Sequence, residues 1–200
     1  MSDDVPSTIE APLGAALAEP EPEPGDLSIA LVVREGVWPD EAVGESALVQ
    51  AAKAAFAAAA DGARKAGLIA EGPYEVSILL TGDDEIRTLN RDYRDKDSAT
   101  NVLSFPAGES FALPGEPAAL GDIVLSFDTL AREAEAQGLS LHDHAVHLVI
   151  HGMLHLLGFD HMEEEEAAEM ERLETALLQR FGIADPYADP PLSQNSEISG

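Results

Sequence analysis

His151-Gly152-Met153-Leu154-His155-Leu156-Leu157-Gly158-Phe159-Asp160-His161 places three histidines at offsets 0, 4 and 10, with a glycine at offset 7. Residues four apart on an α-helix lie one turn above each other on the same face. His151 and His155 can therefore aim two imidazoles at one metal ion. Gly158 can take the left-handed conformation that ends a helix. The chain then turns back, and His161 can supply a third ligand. Three protein ligands with an open fourth position is the arrangement of a catalytic zinc site.

The flanking residues sharpen this reading. Leu148, Val149, Ile150, Met153, Leu154, Leu156 and Leu157 make the helix apolar on nearly every other face, so it is expected to be buried. Buried imidazoles each need a polar partner. Ordinary core histidines would require several separate partners, whereas one metal ion satisfies three at once. The same spacing occurs in the metzincin proteases, which place a glutamate directly after the first histidine as general base. Here that position is Gly152, so the metal geometry resembles a protease but the protease chemistry lacks its base.

Composition sets the wider limits. Two hundred residues allow one domain with a substantial core, plus tails. The chain has no cysteine, which excludes disulfides and thiolate ligands and leaves His, Asp or Glu to hold any metal. The first residues, Met1-Ser2-Asp3-Asp4, lack the basic flank and apolar core of a signal peptide. No apolar run is long enough to span a membrane, so a cytoplasmic protein without membrane association is expected. The net charge is −27, and part of it lies at the ends: residues 1–26 hold seven acids and residues 183–200 hold three, neither with a Lys or Arg. Such a charge repels nucleic acid at long range, and no DNA partner is expected.

Residues 1–26, rich in Pro, Ala and Glu, are expected to be a disordered acidic tail, and residues 183–200 a second one. Between them, 27–182 reads as one domain. Leu27–Val33, Tyr74–Leu80, Asn101–Phe105 and Leu120–Ser126 are strand candidates. An alanine-dominated helix spans Glu45 to about Lys65, with Gly67 as its stop. Thr81-Gly82-Asp83-Asp84 starts a second helix with Ile86, Leu89, Asn90 and Tyr93 inward, and the polar run that follows reads as loop. Asp128–Gln137 is a helix closed by Gly138. Ser140 with Asp143 resembles a capping box opening the histidine helix. The run Glu163–Glu166 opens the last helix as a solvated face, with Met170, Leu173, Leu177 and Leu178 on its buried side. The expectation is an α+β fold with α/β-like alternation: a single domain with a small mixed sheet of about four strands packed with helices, and the metal site on the central histidine helix. Arg87, Arg91, Arg94 and Lys96 gather four of the chain's eleven basic residues near one helix end. A solvated helix end with interleaved Asp92, Asp95 and Asp97 is the plain reading; a site for an anionic substrate is the other.

Three blocks, in order, resemble the YbeY family of endoribonucleases of bacterial ribosomal RNA maturation. They are Leu89–Pro106 with Thr-Asn-Val-Leu-Ser-Phe-Pro, then Leu120-Gly121-Asp122-Ile123, then His147–His161. Where the family usually reads Tyr-Arg-Gly-Lys-Asp-Lys-Pro-Thr-Asn, this chain has Asp95 for the glycine and Ser98-Ala99 for Lys-Pro, making the loop less basic. The resemblance implies a metal-dependent, single-strand-specific endoribonuclease. Its expected substrates are rRNA precursors, including the 3′ end of the small-subunit RNA, with a role in ribosome quality control. It implies one Zn2+ per chain on His151, His155 and His161, and Arg94 as the functional arginine. The small ribosomal subunit and ribosome-associated proteins are the implied partners. Asn101, Ser104 and Asp122 are candidates to line the cleft. His147 reads as a partner to a ligand or a core histidine, and Asp160 as orienting an imidazole or capping the turn. Two other readings stand beside the nuclease. One is a hydrolase of another class, such as a peptidase, which Gly152 opposes. The other is a non-catalytic zinc-binding ribosome assembly factor, which the acidic charge suits.

Overall fold

The computed structural model describes residues 27–34, 38, 45–108 and 116–188. The expected N-terminal tail and residues 189–200 lie outside the described residues. The elements run β1 (Leu27–Val33), α1 (Glu45–Lys65), β2 (Tyr74–Thr81), α2 (Asp83–Arg94), β3 (Val102–Pro106), β4 (Ala118–Ser126), α3 (Phe127–Gln137), α4 (Leu141–Leu156) and α5 (Glu164–Arg180). The four strands form one mixed sheet in the order β1-β2-β4-β3. β1, β2 and β4 are mutually parallel, and β3 closes one edge antiparallel to β4. This is the α+β arrangement expected from the sequence.

The histidine helix α4 is the centre of the molecule. Ser140 caps it by accepting from the Asp143 N–H, as the capping-box reading expects. It touches β3 and β4, α1, α3 and α5. Its Ile150, Met153 and Leu154 have no accessible surface. Burying side chains of this size contributes about 1.5–3 kcal/mol each. Helix α1 approaches closely because its inner stripe is mostly alanine: Leu48, Ala51, Ala52, Ala55, Phe56, Ala59, Ala60 and Ala63 are all buried. Alanine also has the highest helix propensity, so one residue type serves local structure and packing together.

Alternate residues of a strand face opposite sides of the sheet. Ile123 and Leu125 of β4 enter the main core with α4, whereas Val124 joins Ile86 of α2 and Leu103 of β3 in a smaller cluster. Helix α2 therefore covers the face opposite α4.

Three local expectations are corrected. Helix α2 continues to Arg94, so the first part of the run taken as loop is helical. Its end is Asp95, in the left-handed region at φ 56°, with its N–H on the carbonyl of Arg91. Glycine is the residue that adopts this conformation without strain, so Asp95 is an unusual stop. Tyr93 does not face inward: it is 72% exposed and meets the Phe105 ring edge-on at 5.3 Å. The C-terminal segment is packed at its start, where a tail from residue 183 was expected. Ile183 is buried, the Thr175 hydroxyl donates to Asp185, and the Tyr187 hydroxyl reaches Glu174. The apolar side chain at 183 and the aromatic at 187 supply contacts that the Asp/Pro content of the segment obscured.

Candidate active site

Helix α4 ends in a Schellman turn. The Phe159 N–H donates to the Leu154 carbonyl and the Gly158 N–H to the His155 carbonyl, both at 3.0 Å. Gly158 sits at φ 89°, in the left-handed region that favours glycine. The turn brings His161 back over the helix. Asp160 Oδ1 then accepts the His161 backbone N–H at 2.8 Å, which caps the turn as one of its two expected roles. The result is that His151, His155 and His161 each present a ring nitrogen, all within 4.8 Å of one another. The first two are half-buried and the third is exposed.

Hydrogen bonds decide which nitrogens are available. His155 Nδ1 is 3.0 Å from the Phe159 carbonyl oxygen, which can only accept, so the proton is on Nδ1 and Nε2 carries the lone pair. His151 Nδ1 is 2.8 Å from Glu174 Oε1, and an ionised carboxylate there places a proton on Nδ1. The two Nε2 atoms then face each other at 3.0 Å. A contact this short needs a positive centre shared by the two nitrogens, which a proton on one of them or a metal ion supplies. This donor set of three imidazoles fits zinc. Burial first, then the neighbouring His151 and His161, lower the pKa of His155, which keeps it neutral and able to ligate.

Glu174, on α5, was not foreseen from the sequence. It has no accessible surface and accepts from His147 Nε2 at 3.1 Å, from His151 Nδ1 and from the Tyr187 hydroxyl. Burial alone would raise its pKa, but the donors from His147, His151 and Tyr187 outweigh that and lower it to about 2. Burial and the bond to Glu174 raise the Tyr187 phenol, which stays protonated as a donor. His147 thus binds Glu174 and stands outside the three-histidine cluster, as a partner to a candidate ligand's neighbour. The signal for Glu174 was present: residues 170, 174, 177 and 178 form one helical stripe, and an acid on that apolar stripe needs partners.

The histidines line a cleft of about 590 Å3 together with Arg94, Lys96, Asn101, Ser104 and Asp160. That size suits a small-molecule or nucleotide-sized group. The basic cluster divides in two. Arg87 forms a forked pair with Asp97 at 2.7 and 2.9 Å, and Arg91 is bound by Asp92 at 2.8 Å. Among the described residues, Arg94 and Lys96 have no acidic partner. Arg94 Nη2 donates to the Ser104 carbonyl at 3.0 Å, and most of its remaining N–H groups are left for a ligand. The Asn101 amide donates to Glu133 Oε2 at 2.8 Å, which also takes His144 Nε2 at 2.9 Å. Asp122 is not in this cleft. It lines a separate groove with Tyr93 and Phe105, because its place on β4 turns it to the α2 face of the sheet.

The family model for endoribonuclease YbeY matches residues 41–182. The chain belongs to the YbeY endoribonuclease family. It is 48% identical over 189 residues to the endoribonuclease YbeY of Rhodospirillum rubrum, covering 89% of this chain and 94% of that one. It is 46% identical over 172 residues to the Chelativorans YbeY, covering 86% of this chain and all of its relative. The solution structure of TM1509 from Thermotoga maritima is similar at 22% identity with a TM-score of 0.47, covering 81% of this chain and 100% of that chain. YbeY membership makes the protein an endoribonuclease and disfavours the peptidase and non-catalytic readings. Among the described residues, no helix is long and apolar enough to cross a membrane.

Proposed function

We propose that the protein is a zinc-dependent, single-strand-specific endoribonuclease of rRNA precursors, acting in maturation of the small-subunit 3′ end and in ribosome quality control. It works in the cytoplasm on the small ribosomal subunit, with ribosome-associated proteins as partners. The observation that carries this reading is the cluster of His151, His155 and His161 ring nitrogens, in one cleft with Arg94, which has no acidic partner among the described residues. His151, His155 and His161 would hold one zinc ion per chain. When bound, the zinc supplies Lewis acidity, making water more acidic and polarising a phosphoryl oxygen.

The chain's own residues account for binding and orientation. Ser104 fixes one edge of the Arg94 guanidinium through its carbonyl, so the rest of the fork can meet two phosphoryl oxygens and stabilise charge as it develops. Lys96 adds a second positive charge to the cleft. Asn101 lines the cleft with its amide held on both sides, donating to Glu133 and accepting from the Val102 N–H. The reaction is hydrolysis: a water oxygen bonds to phosphorus, one ribose–oxygen bond to phosphorus breaks, and a proton passes to the departing oxygen.

The test pairs elemental metal analysis with cleavage of a structured rRNA fragment carrying a single-stranded 3′ extension. Wild type should hold zinc and cleave the extension, and His155→Ala should lose both. Arg94→Ala should keep its zinc and cleave about 10²–10³-fold more slowly. Unchanged cleavage in either variant contradicts the assigned roles.

A further inference from the structure

Glu174 lies behind His151, on the far side of the imidazole from the cleft. Its Oε1 takes the His151 Nδ1 proton at 2.8 Å, while His151 Nε2 faces His155. Its Oε2 takes His147 Nε2 at 3.1 Å and the Tyr187 hydroxyl. Among the described residues no Lys or Arg pairs with it, and it has no accessible surface. A buried carboxylate with no Lys or Arg beside it depends on the donors that hold it, here two imidazoles and a phenol.

Tyr187 adds a second element to this arrangement. It belongs to the segment after α5, and that segment is fastened locally: Asp185 accepts from the Thr175 hydroxyl at 3.0 Å and from the Tyr187 N–H at 2.9 Å. The Tyr187 ring also meets the His147 ring edge-on at 6.2 Å. The segment beyond the last helix therefore reaches back to the carboxylate that orients a candidate ligand.

We propose that Glu174 and Tyr187 are positioning residues for the metal site, and that the Asp185-Pro186-Tyr187 segment tunes metal affinity through them. The inference rests on the zinc reading above. Glu174 fixes the His151 tautomer with Nε2 free, locks the plane of the ring and makes the imidazole a stronger donor. The Tyr187 hydroxyl holds Oε2, so the carboxylate cannot rotate away from His151. His147 completes the set from the preceding turn of α4.

The experiment measures zinc affinity by chelator competition, together with the thermal midpoint of the metal-free protein, for wild type, Glu174→Gln and Tyr187→Phe. Glu174→Gln should bind zinc about 10–100-fold more weakly, the range typical for loss of a carboxylate behind a metal-binding histidine. Tyr187→Phe removes one hydroxyl, keeps the ring, and should weaken zinc binding by a smaller factor. Should Glu174→Gln not fold, Tyr187→Phe alone decides. A lowered midpoint with wild-type zinc affinity in both variants would mean the cluster is only structural and would overturn the inference. Wild-type protein that binds no zinc would overturn the zinc reading itself and this inference with it, so the two failures are told apart by the wild-type arm.

Discussion

At Gly152, the residue after the first histidine of the cluster, a Cβ would lie 3.0 Å from Ser104 Oγ and 3.1 Å from Ile123 Cγ2. The position faces β3 and β4, so any side chain there presses on the sheet. Two effects compete in Gly152→Ala. Helix propensity favours alanine by about 1 kcal/mol. Overpacking costs about 1–3 kcal/mol, and Ile123 is fully buried among core neighbours. The expected outcome is a net loss of about 1 kcal/mol, read as a lower urea midpoint. An unchanged or raised midpoint would show that α4 can lift off the sheet at no cost. Single residues also mark where the sequence could be read and where it could not. The three histidines were legible because their spacing is local and helical. Glu174 was not, because it lies 23 residues from His151 and is one of thirty-eight acids. Only its place on an apolar stripe distinguishes it.

Between elements, Asp83 at the start of α2 joins that helix to α3. Its Oδ1 accepts from Ser126 Oγ at 2.6 Å and Thr129 Oγ1 at 2.7 Å, and its Oδ2 accepts from Arg132 at 2.9 Å. Burial alone would raise the carboxyl's pKa, but the Ser126, Thr129 and Arg132 donors outweigh it and hold the value below the ordinary 3.8. A depressed carboxyl stabilises the fold fully above its unfolded pKa and loses that contribution as pH falls through the folded value. Asp83→Asn should therefore cost about 1–2 kcal/mol near neutrality and close to nothing in strong acid. Urea midpoints from pH 7 down to about pH 2.5 test this: the two curves should converge at the acid end, and parallel curves would rule the linkage out. Element starts were legible here, since Asp83, Asp84 and Glu85 mark the first turn of α2. Its end was not, because Asp95 carries out in a left-handed conformation the stop that a glycine would have announced.

Across the whole molecule the charge is −27, yet Arg94 and Lys96 stand in the cleft without acidic partners among the described residues. Each phosphate neutralised on a single strand contributes about −0.7 to the salt slope of log affinity, so two contacts give about −1.4. Repulsion from the acidic surface is screened as salt rises, and this makes the observed slope shallower still. Anisotropy titrations of a short single-stranded RNA with non-cleaving His155→Ala should give a slope between zero and about −1.4. A slope near −3 would reveal a basic surface elsewhere and contradict binding through this cleft. The alternation of helices and strands made the fold class readable from sequence. The strand order β1-β2-β4-β3 was not, because it depends on which faces α2 and α4 cover, and that is fixed only when the strands pair.

Helix α4 is at once the middle of the core and the bearer of two of the three histidines. A substitution that retunes those two must also be tolerated by the packing of every layer around them, so this part of the protein has little freedom to drift. New substrate preferences are cheapest to acquire at the rim, where Arg94, Lys96 and Asn101 sit on a helix end and a loop with solvent beside them. The fold thereby separates an inheritance that must be kept whole from a border that can be rewritten one residue at a time.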